Sequence, residues 1–362
     1  MSTLTGNKPQ EPLVPNQSSV PKPIKPWKAT PKQLLPDVFG AVGAVIASLV
    51  VVAITPLAGA LGWVATFIVF SIVIASSISW IRQDRKAAAN SVSTIIIYFL
   101  AAFVLLPVIS IIFEIIRKGA PGLSFGIFFN DMSVTSSDAP LNEGGLLHAL
   151  VGSLYVVALA TIVSIPIGLL TALYLTEVNG KAAGIVRFFI QAMSGVPSIV
   201  AGLFIYAVWM ISFGGTYTTA AGSMALAILM IPTVARTAEE VLKLIPTDLR
   251  EAGLALGATQ WKTVALVVIP AARSGLITAV ILGVARVAGE TAPLLLTIGG
   301  NDAMNWNPLS GNNSAIPYYI WKNFLIGTDT AISRAWTGIF VLMIVVMAFF
   351  ALTRILGNKK VK

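Results

Sequence analysis

Apolar residues in this chain gather into long blocks separated by short polar stretches. Eight blocks stand near 38–57, 61–81, 91–116, 147–174, 186–212, 218–235, 275–298 and 335–356. About 20 consecutive apolar residues suffice for a helix to cross a bilayer. Lipid offers backbone groups no partners, so such blocks predict helices that satisfy their own hydrogen bonds. The expected fold class is therefore an all-α polytopic membrane protein. The first two blocks are joined by Thr55-Pro56 and a Gly-containing stretch, which predicts a tight hairpin over 38–81.

Composition agrees. Of 362 residues, 56% are hydrophobic and 11% charged, with mean hydropathy +0.85, against about 25% charged residues in a soluble domain. Residues 1–37 interleave Pro21, Pro23, Pro26, Pro31 and Pro36 with Lys22, Lys25, Lys28 and Lys32, which predicts a disordered basic tail. The remaining 82–362 is expected to form the main membrane domain, with its core at about 147–356 and a polar interruption at 236–273.

The net charge of +9 would suggest nucleic acid in a soluble protein. Here its distribution assigns sidedness instead, and no nucleic-acid partner is expected. Arg82, Arg85 and Lys86 lie in one loop, Lys181 and Arg187 in another, and Arg354, Lys359, Lys360 and Lys362 in the tail. The alternate loops 58–60 and 213–217 carry none. In 117–146, Arg117 and Lys118 are offset by Asp131, Asp138 and Glu143. The positive-inside rule then places both termini in the cytoplasm. The outer loop 299–334 carries Trp306, Tyr318, Tyr319 and Trp321, residues suited to the membrane interface or to a docking surface. Cysteine is absent and His148 is the one histidine, so neither thiolate chemistry nor a histidine metal cluster is expected.

The interruption falls on the cytoplasmic side. Ala238, Val241, Leu242 and Ile245 share a helix face, which Pro246 ends. Asp248 and Glu251 are spaced like a capping box opening a second short helix. Gly257 suits a left-handed helix end, and Pro270 marks the return to the membrane. Glu251-Ala252-Gly253, three residues, Gly257, nine residues, then Val267-Val268-Ile269-Pro270 resembles the E-A-A-x3-G-x9-I-x-L-P signature of permease subunits of bacterial ABC importers. Gly253 replaces the third alanine. The resemblance implies a type I ABC importer permease core, plus the extra N-terminal hairpin. It also implies that Glu251, Ala252, Gly253 and Gly257, with Glu240, form a coupling element seated on an ATP-hydrolysing subunit.

Further stretches are similar to the permeases of phosphate importers, A-type subunits above all. They are Leu150 to Tyr155, Pro166-Ile167-Gly168, Gly195 to Gly202, and Ala285-Arg286-Val287-Ala288-Gly289-Glu290-Thr291-Ala292-Pro293-Leu294-Leu295. This resemblance implies inorganic phosphate as cargo, a C-type permease partner, two cytoplasmic ATP-binding subunits and an extracytoplasmic phosphate-binding protein. It implies residence in the bacterial cytoplasmic membrane. Related permeases for sulfate or molybdate, and an ion-coupled anion transporter, are the alternative readings.

Arg286 and Glu290 stand inside the seventh block. An arginine there costs roughly 2.5–3.5 kcal/mol on insertion scales, so a partner is expected. At spacing i, i+4 the two can form an ion pair that locks the bundle. Alternatively, the Arg286 guanidinium meets an oxyanion, whose geometry its donor fork matches. Ser198, with Pro197 and Gly195, interrupts the fifth block and either lines a pathway or bonds its own helix. Ser153 and Thr291 are weaker pathway candidates of the same kind. Ala279, Gly283, Ala285 and Gly289 have the small-xxx-small spacing of close helix packing. No G-x-x-x-x-G-K-[S/T] loop, G-x-S-x-G or H-E-x-x-H motif occurs. The chain is expected to be no enzyme by itself and to need no cofactor.

Overall fold

The computed structural model describes residues 31–357 apart from residue 58, so most of the expected basic tail lies outside the described residues. The helices in chain order are α1 (Pro31–Ile54), α2 (Ala60–Arg82), α3 (Arg85–Gly119), α4 (Leu147–Leu173), α5 (Ala183–Ser194), α6 (Ser198–Ile205), α7 (Thr219–Lys243), α8 (Thr247–Ala255), α9 (Gln260–Thr263), α10 (Ile269–Ala288), α11 (Ala292–Thr297), α12 (Ile316–Ile326) and α13 (Asp329–Gly357). No strand occurs among the described residues, only an isolated bridge between Gly299 and Asn313.

Six of these helices are long and apolar enough to cross a membrane, or seven if one bent pair counts as a span. The first block forms α1, whose apolar part Val38–Ile54 is shorter than those spans. The fifth block is the bent pair: Ala183–Ser194 and Ser198–Ser212 meet at 104°. The seventh block is cut, because α10 ends at Ala288 and a separate α11 follows.

Two compact units divide the chain, Met1–Ile109 and Ser110–Lys362. In the first, α1 packs on α2, with Gly40 beneath the Ile78 side chain. The Ser79 and Ser91 hydroxyls join α2 to α3.

In the second unit, α7 is central. Small residues at Ala221, Gly222, Ser223, Ala225 and Ala227 let neighbours approach it, and 67% of its apolar window is buried, twice the share of any other span. Helix α4 packs along it through Val156, Ala160 and Ser164, whose hydroxyl donates to the Ala227 carbonyl at 3.4 Å. On another side lies α10: a Cβ at Gly283 would stand 2.6 Å from the Val234 side chain. Of the predicted small-residue set, Ala279 and Gly283 are buried, while Gly289 has nothing within 4 Å. The core these helices share includes Leu226, Leu229, Met230, Val284, Val287 and Leu294.

The loops expected outside fold into an ordered cap. Arg334 of α13 is 3% exposed, and its guanidinium donates to the carbonyls of Ala139, Pro140 and Glu143 at 2.9–3.0 Å. Asp131 accepts from the Met304 N–H and from the Ser133 hydroxyl, a bond that holds its carboxyl below the usual range. Lys322 pairs with Asp302. His148 is buried edge-on against Tyr319, a packing role. Arg117 and Lys118 both pair with Glu114, so the positive charge at that end of α3 is locally compensated.

The cap is fastened to α4 at Gly152 and Ser153. A Cβ on Gly152 would sit 1.8 Å from the Ser314 carbonyl oxygen, and the Ser153 hydroxyl accepts the Ile316 N–H at 2.7 Å. Both neighbours are backbone, so neither can swing aside. Gly152→Ala is therefore expected to destabilise the cap by about 1–3 kcal/mol, the usual cost of overpacking. The check is thermal melting of the purified protein, where an unchanged midpoint would contradict the close approach.

Candidate functional site

Two regions bring the predicted site residues together, one within the membrane and one at the end of α7.

The membrane region is built from two interrupted helices. The first interruption runs from Gly195 to Pro197, between α5 and α6; Pro197 is extended and cannot continue the helix. The second runs from Gly289 to Thr291, between α10 and α11, with Pro293 inside the first turn of α11. The two segments beyond these breaks pack on one another. A Cβ at Gly202 would lie 2.7 Å from the Cα of Pro293, so only glycine admits this contact.

The expected Arg286–Glu290 pair is not formed. Helix α10 stops at Ala288, so Glu290 falls in the break instead of one turn further on the same face. Arg286 instead donates to the Thr233 hydroxyl of α7 at 3.0 Å. Among the described residues it has no carboxylate partner. Its side chain is exposed and Glu290 is half-buried. Thr233 is the residue the sequence reading missed, for it sits 53 positions away and looks like any helical threonine that bonds back to its own turn.

Ser198, half-buried, is the first residue of α6, and its hydroxyl takes no partner among the described residues. The bond back to its own helix expected of a kink serine is made by Ser194, to the Ile190 carbonyl at 2.8 Å. Thr291 stands at the start of α11, half-buried. Ser153 is not brought to this region; its hydroxyl is engaged in the cap.

The second region is α8 with its supports. Pro246 precedes the helix, and Asp248 lies in its first turn. The capping box expected of Asp248 and Glu251 does not form, since no side chain caps this end. Glu251 and Ala252 are exposed. Gly257 adopts φ +80°, as predicted for a left-handed helix end, and the Ala258 N–H returns to the Gly253 carbonyl at 3.2 Å. Leu249, Leu254, Leu256 and Trp261 are exposed around the same helix. Glu240 lies elsewhere, on α7, exposed and paired with Lys243 at 2.9 Å. Its neighbour Glu239 is buried and holds both Arg187 and Lys243.

Arg250 holds α8 in place. Its guanidinium meets Glu177, beyond the end of α4, at 2.8 Å, and donates to the Leu242 and Ile245 carbonyls at 3.0 and 2.6 Å. Leu242 lies in the last turn of α7 and Ile245 just beyond it, near where a helix leaves its last acceptors without helical partners. One side chain thus ties three elements together. Gln260 adds a bond to the Glu177 carbonyl. Neither Glu177 nor Arg250 was singled out from the sequence, because 73 residues separate them.

From α9 the chain re-enters the membrane through a widened π turn, Val264–Val268. This turn accommodates Pro270, which lacks an N–H. Gly253 faces this return. A Cβ there would lie 2.7 Å from Thr263 Cγ2 and 2.9 Å from its Oγ1. The departure from Glu-Ala-Ala is thus matched by a bulky, β-branched neighbour.

Residues 164–362 match the family described as "Binding-protein-dependent transport system inner membrane component". The phosphate transport system permease protein PstA 1 of Mycobacterium tuberculosis is 35% identical over 268 residues, covering 72% of this chain and 85% of that protein. PstA of Haemophilus influenzae is 37% identical over 261 residues, covering 69% and 87%. PstA of Yersinia pestis is 34% identical over 287 residues, covering 78% and 92%.

The Gly253–Thr263 contact is directly testable. Gly253→Ala is expected to loosen α8 by about 1–2 kcal/mol through overpacking, seen as a lower melting temperature. Adding Thr263→Ala removes the clashing atoms and should restore it. A double variant no more stable than the single one would refute the pairing.

Proposed function

This chain belongs to the binding-protein-dependent transport permeases, in their phosphate-transport branch, and we propose that it forms half of the membrane pathway of an ABC importer for inorganic phosphate. The other half is a related C-type permease. Two ATP-binding subunits dock in the cytoplasm, and a phosphate-binding protein delivers from outside. Both termini face the cytoplasm, following the positive charge of the loops. The similar proteins favour phosphate over sulfate, molybdate or an ion-coupled mechanism, since those just compared are all phosphate permeases.

The observation that carries the reading at residue level is Arg286. It lies 13 residues beyond Arg273 on α10, roughly 20 Å deeper at 1.5 Å per residue. An exposed guanidinium at such depth must face protein or a water-filled path, not lipid. It has the charge and donor fork for phosphate and, among the described residues, no carboxylate to compete. Glu290, Ser198 and Thr291 stand at the two helix breaks, where freed backbone and hydroxyl groups can line a path.

ATP binding brings the two cytoplasmic subunits together and carries the α8 elements with them. Glu251, Ala252, Gly253 and Gly257 form the seat, with Glu240 at its edge. The movement opens the pathway outward, and the anion passes Arg286 when the pathway turns inward. Such a cycle requires contacts that differ between its two states.

Arg286→Gln, inserted normally, is expected to cut uptake of labelled phosphate about tenfold or more, the weight of a lost charge-assisted hydrogen bond. Uptake near the wild-type rate would refute the role. Glu251→Lys should instead release the ATP-binding subunit in a pull-down that Arg286→Gln leaves intact. Unchanged association would argue against α8 as the seat.

A further inference from the structure

Helices α1, α2 and the first part of α3 enclose a groove of about 680 Å³, to which the transport reading assigns no role. That volume falls within the roughly 300–1,000 Å³ typical of small-molecule sites. The groove follows α2 from Ser71 to its C-terminal neighbour Gln83 and α3 from Ala87 to Phe99. Twelve residue-to-residue steps on each helix correspond to about 18 Å, near the depth of one leaflet with its headgroups, which is about half of 40–45 Å.

Its lining changes along that length. At the end nearest the α2–α3 turn stand Gln83, Asn90, Ser79 and Ser91. Farther along lie Ile95, Tyr98 and Phe99 on α3 and Ile78 and Ala75 on α2, with the small hydroxyls of Thr94 and Ser71 among them. Beside the polar end the turn carries Arg82, Arg85 and Lys86, all exposed and without ion pairs among the described residues. The one carboxylate in that turn, Asp84, is engaged in accepting the Ala87 N–H at 2.7 Å at the start of α3.

We propose that this groove is a binding site for an anionic phospholipid. Its phosphate lies among Gln83, Asn90 and the three cations, and an acyl chain runs inward over Ile78, Ile95 and Phe99. Each basic group near a membrane surface strengthens binding of anionic lipid, and basic pockets between helices are where such headgroups settle. A transmembrane helix of another subunit fits less well, because it would need a groove running the full depth of the bilayer. The site lies apart from Arg286 and the α8 seat in the sequence, so its test does not depend on phosphate transport.

The test uses the full chain purified with its co-expressed partner subunits. Native mass spectrometry is expected to show retained phosphatidylglycerol. Adding phosphatidylglycerol after delipidation should raise the melting temperature, whereas phosphatidylcholine or inorganic phosphate should not. Replacing all three cations, Arg82→Gln with Arg85→Gln and Lys86→Gln, should weaken the lipid effect about tenfold or more. Ala75→Phe, which fills the deep end and leaves the charge in place, should also abolish retention. Equal response to phosphatidylcholine, or full retention in either variant, would overturn the proposal. Because the chain has no cysteine, Thr94→Cys provides a single reporter within it. Its protection from maleimide should vanish on delipidation, and persistence would assign the groove to a protein partner instead.

Discussion

A polypeptide that breaks its helix inside a membrane must hide the break from lipid, because hydrocarbon cannot satisfy freed backbone groups. This chain breaks two helices, at Gly195–Pro197 and Gly289–Thr291, and packs the segments that follow against each other. The contact of Gly202 with the Pro293 backbone makes that packing possible. With larger side chains the two segments would separate and expose their ends. Much of the surrounding composition follows from this need. The small residues of α7 and Gly283 of α10 bring the continuous helices close enough to enclose the interrupted ones.

The α8 end obeys the opposite logic. Water can satisfy polar groups there, so no backbone constraint fixes α8, and side chains must do so. Arg250 carries most of that task through Glu177 and two carbonyls at the end of α7. The apolar residues left exposed on α8, Leu254 and Leu256 among them, are consistent with a surface that a partner covers. The Gly253–Thr263 contact sets how tightly α8 rests on the returning chain. Arg250 and the Gly253–Thr263 contact thus fix α8 on its own chain and leave its other face open.

Residue patterns made the helical class legible, along with most spans and the α8–Gly257 turn, because hydrophobic period and left-handed glycine are local signals. They failed where a local rule met a tertiary one. The spacing of Arg286 and Glu290 predicts a shared face only if the helix continues, and it ends at Ala288. Asp248 and Glu251 have capping-box spacing, but the chain enters α8 through Pro246 and makes no cap bond. Thr233, Glu177 and Arg250 were invisible for a simpler reason. Each owes its importance to a partner at least 53 residues away, and no periodicity reports such pairs.

These distant pairs also place both regions on one helix. Arg250 grips α7 at the Leu242 carbonyl, and Arg286 holds the same helix at Thr233. Nine residues separate these points, about 14 Å along the axis. A helix buried over most of its length cannot flex freely between them, since its neighbours interlock with it at van der Waals distance. Displacement of α8 therefore reaches α7 through Arg250, alongside the α9–α10 span that Gly253 touches at Thr263, and α7 bears directly on the hydroxyl that holds Arg286. Physical connection is necessary for coupling but does not by itself create it; the link must have two arrangements that ligands bias differently. The Arg286–Thr233 bond is suited to such a change. It is a single, exposed hydrogen bond to a neutral group, which an incoming oxyanion can outcompete with charge. A buried Arg286–Glu290 ion pair would have resisted that exchange, and the helix end at Ala288 prevents it.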